Sequence, residues 1–212
     1  MLLAFDTASP TVTVAVHDGA RVIAERTSEQ TMRHGEQLAP LIEQALAEAG
    51  TTPAGLTAIA VGVGPGPFTG LRVGLVTART LGHVLGIPVH GVCSLDALAV
   101  HAVATGTVEG AFQVATDARR KEVYLAAYDG SGRRSAGPVV ERPAAVGTDL
   151  PVVGEGAALY PDAFGDPREP LRPAAAWIAV AVHEGRAEVL APEPLYLRRP
   201  DAEIPRAPKP VS

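Results

Sequence analysis

The chain has 212 residues and a formal net charge of -5, room for one large domain or two small lobes and a poor charge balance for gripping nucleic acid unaided. Hydrophobic residues make up 47% but aromatics only 4%, so Ala, Val, Leu and Gly must fill the core with backbones packed close together. The single cysteine, Cys93, excludes an internal disulfide and a cysteine-rich zinc site and points to a reducing compartment. With no basic leader and no apolar run near the ~20 residues of a membrane span, the expected location is cytoplasmic.

The first segment alternates apolar and polar residues. It predicts strands over Leu2–Thr7, Thr11–His17 and Arg21–Arg26, turned at Ser9-Pro10 and Asp18-Gly19. Leu38, Leu41, Ile42, Ala45, Leu46 and Ala49 then form one apolar stripe at helical spacing, with Gly50 as the stop. Leu56–Val63 reads as a buried strand running into Gly64-Pro65-Gly66-Pro67-Phe68. Thr69 is the expected cap of a second helix to about Leu85. Ile87–Val92 is the next strand, and Ser94 the expected cap of a helix over 95–104. The order β-β-β-α-β-α-β-α mixes an antiparallel meander with parallel crossovers.

The second half starts the same way, with strands at Ala111–Asp117 and Glu122–Tyr128 followed by Asp129-Gly130. Asp6 to Gly19 has the same spacing as Asp117 to Gly130, and Val12, Val14 and Val16 match Val123, Leu125 and Ala127, an internal repeat that two similar hairpins would also give. Beyond Gly130 the repeat decays, leaving a short strand at Val152–Gly154 and a helix at Ala174–Val182. From Arg198, four prolines mark an extended tail.

Between a strand and a helix, the run Gly62 to Gly70 can cradle an anion on backbone N–H groups through Gly64 and Gly66, or can simply be a tight turn. It lacks the Lys-Ser/Thr of a Walker loop and the spacing of a dinucleotide fingerprint. Asp6-Thr7 can hold a metal-bound phosphate or cap a turn. Asp117 holds the equivalent place, followed by Arg119, Arg120 and Lys121 where a phosphate clamp would have glycines. These basic side chains can bind an anion, fill the pocket or sit in solvent. The six histidines show no paired ligand spacing, and no GxSxG nucleophile occurs. Gly70, Gly74, Ala78 and Gly82 recur every fourth residue along the second helix. An interior glycine costs about 1 kcal/mol against alanine, so another backbone, from the chain's own sheet or from a second chain, is expected to approach closely there.

The segments AFDTAS, GVGPGPFTGLRVGLVTARTLGHVLGIPVHGVCSLDALA, DARRKEVYLAAY and PLYLR, in this order over nearly the whole chain, resemble the TsaB (YeaZ) family, glycoprotease-like members of the actin/Hsp70/sugar-kinase superfamily. The resemblance implies a two-lobed actin-like (RNase H-like) α/β fold, a duplicated β-β-β-α-β-α unit with the second lobe abbreviated. It divides the chain into a lobe at 1–103, a smaller lobe at 104–197 and a tail at 198–212. It also implies a role in forming threonylcarbamoyl-adenosine in tRNAs that read codons starting with A. The family pairs with the catalytic TsaD, is joined by the ATPase TsaE, forms homodimers and meets tRNA only indirectly.

TsaD-like sequences carry two metal-binding histidines in a pattern like HLEGH. The matching stretch here is Ser94-Leu95-Asp96-Ala97-Leu98, with Ser94 and Leu98 where histidines would stand. The expectation is a scaffold without catalytic residues, metal or cofactor of its own, the ATP and metal belonging to its partners. Its partner surface is expected on Leu38, Leu41, Ile42, Ala45, Gly70, Gly74, Ala78, Leu81 and Gly82. The competing expectation is an enzyme, either an ATP-dependent transferase or a glycoprotease-type metalloenzyme.

Overall fold

A computed structural model describes residues 1–28 and 33–198. The first unit runs β1 (Leu2–Asp6), β2 (Thr13–His17), β3 (Val22–Thr27), α1 (His34–Glu48), β4 (Ala58–Gly64), α2 (Phe68–Leu85), β5 (Val89–Cys93) and α3 (Ser94–Ala104). The second runs β6 (Phe112–Asp117), β7 (Val123–Tyr128), β8 (Arg134–Glu141), α4 (Pro143–Val146), β9 (Val152–Val153), α5 (Glu155–Leu159), β10 (Pro167–Arg168) and α6 (Ala175–His183). The sheets are ordered β3-β2-β1-β4-β5 and β8-β7-β6-β9-β10. In each, an antiparallel meander is extended by parallel strands beside its first strand. The same order in both units is the duplicated two-lobed architecture expected. Its abbreviation is visible in α4 and α5, at 4 and 5 residues against 15 and 18 for α1 and α2.

Several local expectations need correction. The repeat does not decay at Gly130: β8 through α6 complete it, and α4, β9, α5 and β10 are too short to show a period. The repeat is also one residue out of step. Asp6 pairs with Thr13, and Asp117 with Val123, so the turn over 118–122 is a residue shorter than that over 7–12. Thr13, rather than Val12, is therefore the counterpart of Val123. The first helix starts at His34, a turn before the apolar stripe, and carries Pro40 on its exposed side. The second starts at Phe68 with Pro67 before it and no side-chain cap, so Thr69 lies inside the helix. Ser94 is the first residue of α3, and its hydroxyl caps nothing.

The division at 103/104 follows the chain but not the packing. The helix α6 lies on the first sheet, where Ala175, Ile178, Ala179 and Ala181 pack with Ala4, Ala15, Ala60 and Val92. In turn α3 gives Leu95, Leu98, Ala99 and Ala102 to the core of the second lobe, around Phe112, Val114 and Tyr128. Each unit's last helix thus crosses to the other unit. This explains why α3 is apolar on all sides: a helix held between two lobes has almost no wet face. On the first sheet's other face lie α1 and α2, filling a core with Leu3, Phe5, Val14, Ile59 and Val61. Of the tail expected from 198, all but Arg198 falls outside the described residues. Among the described residues, no helix is long and apolar enough to cross a membrane.

Candidate functional site

The glycine ladder faces inward. A Cβ placed on Gly70 would lie 2.4 Å from the Thr7 carbonyl oxygen, one on Gly74 2.4 Å from Thr7 Oγ1, and one on Gly82 2.3 Å from a Val89 methyl. Ala78 is fully buried. The backbone that approaches is the chain's own first sheet, and Thr7 Oγ1 seals the contact by donating to the Gly70 carbonyl at 2.8 Å. Leu38, Leu41, Ile42 and Ala45 are likewise buried in the core of the first lobe. The surface expected on these residues is corrected accordingly. An apolar stripe on an amphipathic helix covers the nearest sheet first, and Leu81, packed against the same core, is only partly exposed. What α2 offers to solvent is its opposite side, where Val76 and Val84 are 62% and 72% exposed. Exposed Thr80 lies between them in the same stripe, while Val73, a turn earlier, is half-buried against the core. At the foot of the helix, Phe68 stacks on Tyr196 at 5.3 Å and carries the Arg72 guanidinium over its ring at 4.5 Å.

The end of β1 meets the start of α3 beneath a cleft between the lobes. Asp6 is buried, accepting from the Ser94 hydroxyl at 2.6 Å and from the Ala8 N–H at 2.7 Å. Gly62 makes room for it: a Cβ there would fall within bonding distance of the carboxylate oxygen. Burial pushes the Asp6 carboxyl up, against the lowering effect of the Ser94 and Ala8 hydrogen bonds. Burial thus makes the charge on this carboxyl harder to hold than in water, while the two donors help to hold it. The cleft itself is lined by Ala8, Ser9, Pro65, Pro67, Ser94, Asp117, Arg119 and Tyr124, among others, and leaves a water-sized sphere about 20 Å³. That is space for about one water, far below a nucleotide pocket.

The residues singled out as anion ligands are only partly brought together. Arg119 reaches the cleft, but its guanidinium is paired with Asp117 at 3.1 Å. Arg120 and Lys121 are exposed, Thr7 is committed to Gly70, and Asp6 lies under the floor. Gly66 is needed for packing, since a Cβ there would lie 2.3 Å from the Ala8 carbonyl oxygen. At the positions where the resemblance expects metal-binding histidines, Ser94 is spent on Asp6, and Leu98 is an apolar core residue. Neither fits a metal ion. Among the described residues, no group of three His, Cys, Asp or Glu side chains is arranged to hold one.

The turn at Arg119, Arg120 and Lys121 preserves the backbone of a glycine turn without its glycines. Their φ angles are 61°, 57° and 59°, a left-handed region that costs a side-chain-bearing residue about 1–2 kcal/mol. Five residues must connect β6 to β7, and the Asp117 carboxylate pins the Arg119 N–H at 2.8 Å. Lys121→Gly is expected to raise unfolding stability by about 0.5–1 kcal/mol, after allowing for glycine's freedom in the unfolded chain. Urea unfolding measures it; a lowered midpoint would mean that the lysine side chain holds the turn.

Sequence reasoning missed the Asp6–Ser94 pair because the serine's place before a helix suggested capping. It also missed the Phe68–Tyr196 contact, although both residues lie in segments that carry the family resemblance.

Comparison with known proteins places this geometry among relatives. The family model described as "TsaD: tRNA N6-adenosine threonylcarbamoyltransferase" matches residues 21–159. An uncharacterized protein of Mycobacterium tuberculosis is 46% identical over 207 residues, 95% of this chain and 93% of its own length. The tRNA threonylcarbamoyladenosine biosynthesis protein TsaB of Bacillus subtilis is 34% identical over 127 residues, 60% of this chain and 54% of that protein. Its Escherichia coli namesake is 36% identical over 130 residues, with 60% and 54% covered. In both, the match spans about half of the named relative. The solved structure of YeaZ from Pseudomonas aeruginosa superimposes with a TM-score of 0.77 at 29% identity, covering 92% of this chain and 99% of that one.

Proposed function

We infer the function from one premise: this chain belongs to the TsaD, tRNA N6-adenosine threonylcarbamoyltransferase, family, on its TsaB (YeaZ) branch. We propose that it is a non-catalytic subunit in the formation of threonylcarbamoyladenosine in tRNA. It docks a TsaD-type transferase and holds that enzyme in its active form. The observation that carries this reading is the contrast between the two sides of the molecule. The cleft between the lobes has room for about one water, above a carboxyl already engaged by Ser94 and Ala8. The α2 helix is fixed to its own sheet by three glycines while turning Val76 and Val84 to solvent. Exposed valines on an otherwise well-packed helix suit a helix-on-helix interface.

In this role the chain needs neither metal nor nucleotide of its own, both being supplied by the transferase and a TsaE-type ATPase. Two copies of the chain pair through the same stripe when the transferase is scarce, by mass action. Contact with tRNA is made by the partner, and the assembly works in the cytoplasm. Reconstituting threonylcarbamoyl transfer to tRNA from purified transferase and ATPase, with and without this chain, tests the proposal. Activity is expected to depend on the chain, and equal rates without it would overturn the reading.

A further inference from the structure

The segment over 190–198 belongs to neither repeat, yet it touches both lobes. Leu190 and the edge of β5 exchange two backbone hydrogen bonds, Gly91 N–H to the Leu190 carbonyl at 2.9 Å and Leu190 N–H to the Gly91 carbonyl at 2.8 Å. Gly91 permits that approach, because a Cβ there would lie 2.5 Å from the Ala191 carbonyl oxygen. Five residues after Leu190, Leu195 donates its N–H to the Val63 carbonyl at 2.9 Å. Leu190 and Leu195 pack against the cores of both lobes, and Leu197 against that of the second. The path ends where the Arg198 guanidinium pairs with Glu122, the last residue of the turn that brings Arg119 to the cleft. Between these anchors Tyr196 stacks on Phe68, directly after the Pro65–Pro67 wall of that cleft.

We propose that residues 190–198 form a clasp that holds the two lobes closed, and that its release opens the inter-lobe cleft while withdrawing Tyr196 from the foot of α2. The clasp is bonded along the first lobe through Gly91 and Val63 and meets the second through the packing of Leu190, Leu195 and Leu197 and through the Arg198–Glu122 pair, the polar anchor that opening must break. Because Tyr196 lies within the clasp, a molecule that engages Phe68 changes the cleft, and one that widens the cleft changes the surface around Phe68. This inference rests on the fold alone and does not depend on the proposed role in tRNA modification.

The chain contains its own probe. Cys93, its single cysteine, ends β5 of the first lobe and is fully buried against the second lobe's core with Phe112 and Tyr128, so it is reached only when the lobes part; burial also pushes its thiol up to about 12, so labelling of the closed state at neutral pH is slow. Glu122→Arg and Arg198→Glu each place like charges at the far anchor, and the double variant restores an opposite pair. Each single variant is expected to raise the rate of Cys93 labelling by a disulfide reagent at least fivefold. The hydrogen-exchange rate of the Leu195 amide should rise with it. The charge-swapped double variant should return both to within about twofold of the original. Amides of β1 serve as the control and should exchange unchanged. Labelling at the original rate in the single variants, failure of the swap to restore it, or β1 amides accelerating in step would each overturn the clasp. None of these readouts measures transferase activity, so the outcome is independent of the reconstitution.

Discussion

Gly74→Leu is expected to destabilise the first lobe rather than to dissolve a complex. The glycine ladder invites the opposite expectation, that a bulky residue would push apart two chains. The observed contact is within the chain: a Cβ at this position already falls 2.4 Å from Thr7 Oγ1, and that hydroxyl is held by its bond to the Gly70 carbonyl. A leucine adds three further carbons where α2 rests on β1. Overpacking of a rigid site costs about 1–3 kcal/mol and occasionally more, and the upper end applies because the neighbour is a hydrogen-bonded side chain at the end of a central strand. The helix regains about 1 kcal/mol from losing a glycine, which does not offset it. A net loss of about 2 kcal/mol lowers the melting temperature of a chain this size by about 4–8 °C. Calorimetry reads the shift. The fraction that remains folded should still bind a TsaD-type partner with unchanged affinity. A normal melting temperature with lost binding would put the ladder back at an interface.

That reversal shows what was legible in the sequence and what was not. Strand alternation and the apolar stripe of Leu38 to Ala49 gave the first unit nearly residue by residue, because both periodicities are long enough to count. The Asp6 and Asp117 turns betrayed the duplication, yet the alignment slipped by one residue. The five-residue turn is made there with three consecutive left-handed residues, and nothing in Arg-Arg-Lys announces such a backbone. Of the short elements, β9 showed as a strand at Val152–Gly154, while α5 and β10 were illegible for want of length. The glycine ladder correctly reported a close approach, but spacing along one helix cannot say which backbone approaches. That is decided by Thr7, 63 residues before Gly70 in the chain. Leu98 has no metal-binding atom in any fold, which the residue type alone announces; that the Ser94 hydroxyl is engaged by Asp6 is visible only in three dimensions.

Val76→Glu together with Val84→Glu is expected to leave the fold intact and abolish pairing with the transferase. The two residues lie eight positions apart on α2, about 12 Å along its axis, and are 62% and 72% exposed. Substitution at such positions changes stability by about 0.5 kcal/mol or less, and glutamate is a better helix former than valine. In a complex the outcome inverts. A helix packed at about 8–10 Å from its partner would bury both carboxylates, that at position 84 with no cation a turn away and that at 76 with only Arg72 and Arg79 of its own helix within reach, and an uncompensated buried charge costs several kcal/mol. Even about 3 kcal/mol weakens binding by more than 100-fold. Calorimetric titration with the transferase measures the loss, and tRNA modification in the reconstituted system should fall with it. Self-association of the chain, followed by sedimentation, should fall as well, since the same stripe is proposed for both pairings. Retained transferase binding with lost self-association would assign the stripe to the homodimer alone. Binding within about threefold of the original would remove the outer face of α2 from the interface altogether, leaving the foot of the helix at Phe68 and Tyr196 as the place to look. Paired with the Gly74 variant, this double variant separates the two faces of one helix: the inner face should be read out in stability with affinity unchanged, the outer in affinity with stability unchanged.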